Sequence, residues 1–352
     1  MKQHKSYIVC LLVGTLFAAC TDAPLDNLPS KELVQLNLLP PTIEATPLTR
    51  TMPIDGTTFP WQLRSHASGY GTDYSVAMFI CDKGTYNPHM AGYNNLLNVL
   101  RSSFNINTNS SNQQWLTQIS SRLEKDIDIY AYYPRVAQEG LTPETIPFTT
   151  TDQYDWMWAD PVTINKVGQD NRTVSLIFKH AMTCIEVRLS TKYEGTINLH
   201  QITLSDTQNQ LVANGTMNIT NGTLNCTADQ SSITITGDNT NNNQLPKTEA
   251  DGSSYFSYCF IMPQKEIAKD QLTLSFVYDR SATWPNPSTE GRATYTIPTT
   301  FTDESGQTQT ITKLETGKKY VLNLVINNAT SIYPLSQRID ASWDTVDVNL
   351  KI

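Results

Sequence analysis

Alternation of apolar and polar residues is the dominant pattern along this chain. In DIDIYAYYP, Asp126 to Pro134, the residues Ile127, Ile129, Ala131 and Tyr133 fall on one side at period two, and Asp126, Asp128, Tyr130 and Tyr132 fall on the other. That period is a β-strand's, and a run rich in Ile and Tyr suits one. Aromatic residues on both faces predict a central strand covered on each side. Pro134, which lacks a backbone donor, ends it.

Other stretches repeat the pattern. Glu32 to Leu39 alternates with Val34, Leu36 and Leu38 on one face and predicts the first strand, and SVAMFIC, Ser75 to Cys81, is a short apolar run typical of a buried one. Tyr93, Leu96, Leu97 and Leu100 fit helical spacing, yet the segment runs on into SFNIN, so helix and strand both stay open. Between Pro134 and about residue 172 the pattern is lost, which predicts a long connection containing DQYDWMWADP and a domain boundary near residue 165. Beyond it the expected strands are Thr173 to Ser190 in two runs around His180, Gly195 to Leu204, LVANGTMNITNGTLN with its Asn-Gly hairpin signals, and Ser232 to Thr236. SYFSYCFIMP, LTLSFVYD, Ala293 to Ile297 and Tyr320 to Ile326 follow. The terminal VDVNLKI places Val346, Val348, Leu350 and Ile352 on a single face. Strands about ten residues apart suggest a β-sandwich in each half, hence an all-β chain.

Composition sharpens this reading. A length of 352 residues allows two ordinary domains, and only 16 % charged residues with abundant Thr, Asn and Ser suit an all-β extracellular protein. A net charge of −8 and the lack of a Lys/Arg run after residue 20 argue against a nucleic-acid partner. Lys2 and Lys5 precede an apolar stretch, Tyr7 to Ala19, that is short for a membrane span and ends in LFAAC at Cys20. This is the form of a bacterial lipoprotein signal in which Cys20 is acylated; the alternative is an ordinary secretory signal cut nearby. The expected division is therefore residues 1–20 as signal, 21–50 as tether and first strand, 51–165 as an N-terminal sandwich and 166–352 as a C-terminal sandwich.

Candidate chemistry adds little. Cys81, Cys184, Cys226 and Cys259 of the mature chain show no C-x-x-C spacing and predict neither a metal site nor a bridge. None of the catalytic or nucleotide-binding signatures HExxH, G-x-S-x-G, G-x-G-x-x-G and the P-loop occurs, so neither a catalytic residue nor a cofactor is expected. His180, flanked by Phe178 and Met182, reads as a core or interface histidine. Tyr154, Trp156 and Trp158 either fill the gap between domains or stack against sugar rings, which would make the protein a glycan-binding surface lipoprotein.

Taken together, the cysteine after LFAA, the step Thr49-Arg50 after a proline-rich segment, DIDIYAYYP, the strand LIFKHAMTCIEVRL with Phe178 and His180, and the region from Ile339 to Trp343 onward resemble the fimbrillin family. These are the major-fimbrial-subunit-like surface lipoproteins and type V pilins of Bacteroidales. The resemblance implies two transthyretin-like, Greek-key β-sandwich domains in tandem and export to the outer membrane on an acylated Cys20. It also implies cleavage after Arg50 by an arginine-specific surface protease, which removes the first strand, and polymerisation with other fimbrial subunits in the service of cell adhesion. A vacated strand position exposes unpaired backbone groups beside an apolar groove, which another subunit's strand can fill. Val346, Val348, Leu350 and Ile352 are the candidate donor residues; the other reading is that they complete their own sandwich.

Overall fold

Alternating sequences of this kind bury one face of each strand, so they must stack as sheets, and the structure is built that way. A computed structural model describes residues 34–38, 42–43, 72–105, 110–115, 119–121, 125–166, 173–236, 244–248, 254–281, 289–302, 305–327 and 331–340, with no helix among them. The strands of the first half are β1 (Val34–Leu38), β2 (Thr42–Ile43), β3 (Thr72–Asp82), β4 (Leu96–Asn105), β5 (Ser110–Trp115), β6 (Ile119–Ser121), β7 (Ile127–Tyr133), β8 (Ile146–Thr149) and β9 (Met157–Ile164). Next come β10 (Thr173–Val174), β11 (Ile177–His180), β12 (Thr183–Thr191), β13 (Thr196–Asp206), β14 (Leu211–Asn218), β15 (Thr223–Gln230), β16 (Ser232–Thr236) and β17 (Phe256–Met262). The chain closes with β18 (Lys265–Glu266), β19 (Leu272–Ser281), β20 (Thr289–Thr296), β21 (Thr300–Thr302), β22 (Thr308–Thr310), β23 (Lys313–Leu314), β24 (Lys319–Ile326) and β25 (Ile332–Asp340).

Two face-to-face packings organise these strands. A seven-stranded sheet, β2-β11-β9-β7-β3-β4-β5, faces a three-stranded one, β10-β1-β6, across a core that includes Val76, Met78, Ile129, Phe178 and Leu36. A six-stranded sheet, β17-β12-β24-β25-β21-β22, faces the four-stranded β16-β13-β19-β20 across a second core of Val187, Leu189, Leu204, Tyr258, Phe276 and Leu322. A third apolar cluster joins the two. It draws Phe79 and Tyr132 from the back of the first sheet, Cys184, Cys259 and Ile261 from the back of the six-stranded sheet, and Phe148 and Met217 from the small sheet β15-β14-β8. The expected division near residue 165 falls between β9 and β10, whereas sheet membership passes from the first sandwich to the second between β11 and β12.

The strand DIDIYAYY sits centrally as β7, between β9 and β3, and all seven of its residues are buried. Its odd residues enter the first core, and Tyr130 and Tyr132 enter the joining cluster. Tyr132 also closes a local network: its hydroxyl donates to Asn95 Oδ1 at 2.8 Å and accepts from the Val136 amide at 3.2 Å. Tyr132→Phe should therefore lower unfolding free energy by about 1–3 kcal/mol, measured by urea titration, because a buried carbonyl and a partly buried N–H lose their partner.

One open reading is settled and one expectation is corrected. The segment with helical spacing at Tyr93, Leu96, Leu97 and Leu100 is strand from Leu96 onward, paired antiparallel to β3, with Leu97 turned outward. A neighbouring strand, not the local spacing, decides its conformation. The supposedly patternless connection contains β8 and β9. β8 is only four residues long, and Asp160-Pro161 interrupts the apolar alternation of β9, so neither announces itself.

In the second half β12 is buried along all nine residues. Its inward side chains Ile185, Val187 and Leu189 join the sandwich core, and the opposite face carries Glu186 and Arg188. The Glu186 carboxylate accepts from Arg188 Nε at 2.7 Å, from Arg188 Nη2 at 3.3 Å and from Ser257 Oγ at 2.7 Å, and Lys319 Nζ lies 3.2 Å away. Burial pushes the Glu186 carboxyl up, but the Lys319 and Arg188 charges and the hydrogen bonds outweigh it and hold the group at about 2.

Candidate functional site

The expected first strand is β1, and it lies in the middle of its sheet. Val34, Gln35 and Leu36 pair antiparallel with Ser121, Ser120 and Ile119, while Asn37 and Leu38 pair parallel with Thr173 and Val174. After Pro40-Pro41 the chain crosses to the opposite sheet as β2, where Thr42 and Ile43 pair parallel with Ile177 and Phe178. Residues 173–178 make the same crossing beside it, so the N-terminal segment and this strand switch sheets together. Leu36 is 2 % exposed, in the same core as Val174, Ile129 and Met78. A strand so placed satisfies backbone groups on both of its neighbours and closes one side of a core. Its removal would leave both edges and an apolar groove open.

Cys20, Arg50 and the terminal Val346, Val348, Leu350 and Ile352 lie outside the described residues. Arg50 follows Ile43 by seven positions, so a cut there separates both β1 and β2 from the rest of the chain. The last described strand, β25, pairs antiparallel with β24 and ends at Asp340.

Tyr154, Trp156 and Trp158 lie at the joining cluster, but they do not share one surface. Trp156 is 4 % exposed, meets Phe148 edge to face with ring centroids 6.2 Å apart, and donates from Nε1 to the Thr149 carbonyl at 3.3 Å. Tyr154 and Trp156 line a cavity of about 540 Å³ together with Tyr133, Pro134, Arg135 and Asp152. Trp158 is elsewhere, its ring centroid 5.4 Å from Lys179 Nζ and its indole against Gly222. Gly222 has φ +75, and a Cβ there would meet the indole at 2.3 Å, so only glycine suits both the turn and the ring.

Two residues that sequence reasoning passed over hold this loop in place. Gln153, 2 % exposed, donates to the Ile261 carbonyl at 3.2 Å and accepts from the Ile261 amide at 2.7 Å, capping the outer edge of β17 as a further strand would. Asp155, fully buried, accepts from His180 Nδ1 at 2.9 Å. His180 is thus a buried core histidine with a carboxylate partner. The available signal was Asp-Gln-Tyr-Asp-Trp itself, where polar residues alternate with aromatic ones. Cys81, Cys184, Cys226 and Cys259 are free thiols, with only Cys226 exposed. No cluster of metal-ligating side chains occurs among the described residues.

A family model described as fimbrillin-like matches residues 99–340. No curated protein matches the chain. Among solved structures, the chain is similar to a candidate cell adhesion protein from Bacteroides uniformis, at 13 % identity and a TM-score of 0.48, over 89 % of this chain and 99 % of that one. It is similar to another from Bacteroides ovatus, at 16 % identity and a TM-score of 0.46, over 90 % and 99 % of the two chains. A fimbrial protein from Bacteroides vulgatus matches at 12 % identity and a TM-score of 0.40, over 76 % and 92 %.

Proposed function

The chain belongs to the fimbrillin-like family, and on that basis we propose that it is a fimbrial subunit that assembles by donor-strand exchange in the service of adhesion. In this reading the protein is exported as a lipoprotein on Cys20 to the outer membrane, and an arginine-specific surface protease cuts after Arg50. The cut frees the groove now held by β1. A strand from another subunit fills it, with Val346, Val348, Leu350 and Ile352 as alternate inward residues. Its role is structural, without catalysis, and the two sandwich cores correspond to two tandem domains.

The observation that supports this reading is the position of β1: a central strand that buries Leu36 yet lies within reach of a single backbone cut at Arg50. Incoming main chain would satisfy the same donors and acceptors on β6 and β10, and alternation would fix register by the side chains that fit. Donor and groove come from opposite ends of the sequence, so the contact is heterologous, each added copy presents a new groove and the contact propagates.

Mass spectrometry of the N-terminus of protein recovered from the cell surface tests this. The expected result is a start at Thr51 in species that run as SDS-resistant ladders. Surface protein that starts uniformly at an acylated Cys20 would overturn the polymerising role.

A further inference from the structure

We propose that the cavity beside the Tyr133–Pro134 peptide is a saccharide-binding site, formed by the β8–β9 loop and the turn after β7. A monomer could carry it, so it stands or falls independently of strand exchange.

Its volume of about 540 Å³ lies within the range of small-molecule sites. Its walls combine Tyr133, Phe148, Tyr154 and Trp156 with two groups of opposite charge, Arg135 and Asp152. Asp152 is exposed, and Arg135 is half-buried with its Nε donating to the Asn95 carbonyl at 3.1 Å. That bond ties one edge of the guanidinium to the backbone at the cavity wall. A pyranose offers one apolar C–H face and a rim of hydroxyls that both donate and accept. Tyr154, the half-buried ring of the lining, suits the face, whereas Tyr133, Phe148 and Trp156 are each 4 % exposed and belong to the apolar clusters. A carboxylate that only accepts and a guanidinium that only donates suit the rim.

The way the loop is held argues for a preformed site. Gln153 and Asp155 are buried polar residues that anchor the loop, Gln153 through both backbone groups of Ile261 and Asp155 through one carboxylate oxygen to His180. Between and beside them stand Asp152, Tyr154 and Trp156, the residues that line the cavity. A rigid second element thus fixes the side chains a ligand would meet. Asp152 is the one carboxylate in the lining, whereas glycoside hydrolysis takes a pair, so the site would bind and not cleave.

The test uses purified mature protein on an array of neutral, amino-sugar and uronic-acid oligosaccharides, followed by calorimetry with the strongest binder. Binding is expected, with Tyr154→Ala and Asp152→Asn each weakening it about tenfold, a loss of the size that marks a central contact. Ser75 is exposed at the cavity wall, so Ser75→Trp fills the space without touching the core and should abolish binding while the thermal transition is kept. Failure of every array oligosaccharide to bind at millimolar concentration overturns the proposal. So does binding that Ser75→Trp leaves intact, or a pocket that takes an unglycosylated peptide instead.

Discussion

A chain that begins at Thr51 should lose its first sandwich at far lower urea than one that begins at Cys20, unless a second polypeptide supplies the missing strand. Leu36 alone sets the scale. Emptying the site of a fully buried leucine costs about 2–5 kcal/mol, and Leu36 is 2 % exposed. Truncation goes further, because it removes β1 and β2 whole and strips partners from Ile119, Ser120, Ser121, Thr173 and Val174, and from Ile177 and Phe178. Set against a total of about 5–15 kcal/mol for a typical protein, this leaves the truncated monomer close to unfolding. Urea titration with sedimentation analysis reads both parts of the expectation: an early transition in dilute monomer, and recovery of the late one on self-association. A synthetic peptide of the last seven residues, VDVNLKI, added in excess should restore stability to the monomer by mass action. If the Thr51 chain stayed monomeric and as stable as the longer one, β1 would be a decoration and donor-strand exchange would lose its physical basis.

The second sandwich and the heart of the first were legible because their strands carry the signal within themselves. DIDIYAYYP tells its own period, and aromatics on both faces foretold that both would be covered, as β7 is. What pairs with what was not legible. β1 against β10 and β12 against β24 are parallel pairings between segments 136 and 135 positions apart, by the registers Asn37 with Thr173 and Cys184 with Lys319. No local pattern encodes such partners. Alternation gives the face of a residue but not what lies over that face. In TCIEVRLS, Glu186 and Arg188 alternate with apolar residues, yet the structure buries both.

The same limit applied to the candidate sites. Tyr154, Trp156 and Trp158 look equivalent in sequence, but Trp158 sits one strand step away, on β9 opposite Lys179, with its ring on Gly222. Gln153 and Asp155 gave only the weak signal of polar residues set among aromatic ones, because a polar residue in a loop is ordinarily solvated. Their burial is a property of the contact with Ile261 and His180, both more than twenty positions away. Long-range partners make the site, and these are what a single sequence withholds.

The network around Glu186 gives the other large effect, and the sign depends on which member is removed. Glu186→Gln leaves Arg188 and Lys319, 8 % and 3 % exposed, facing a neutral amide in the interior. Breaking a buried pair in this way costs about 3–5 kcal/mol, since the desolvated cations keep their cost and lose their attraction. Lys319→Met removes the second cation but keeps the Glu186–Arg188 pair, bonded at 2.7 and 3.3 Å, and should cost about 1 kcal/mol. The pH dependence follows from the same carboxylate. Its folded value, about 2, lies below the glutamate value of about 4.3 in an unfolded chain, so the unfolded state takes up the proton first as pH falls. The stabilisation is complete above pH of about 4.3 and drains away towards pH of about 2, by about 3 kcal/mol in all. Asp206 acts in the same direction: burial raises its pKa, but Lys265 at 2.8 Å, the Gln208 amide and Gln271 hold it below the usual range. Unfolding free energies of wild type and Glu186→Gln, measured from neutral pH down to the acid limit, should converge as pH falls. Parallel curves would mean that Glu186 carries no such linkage, and an unchanged midpoint at neutral pH would mean that the two cations are satisfied without it.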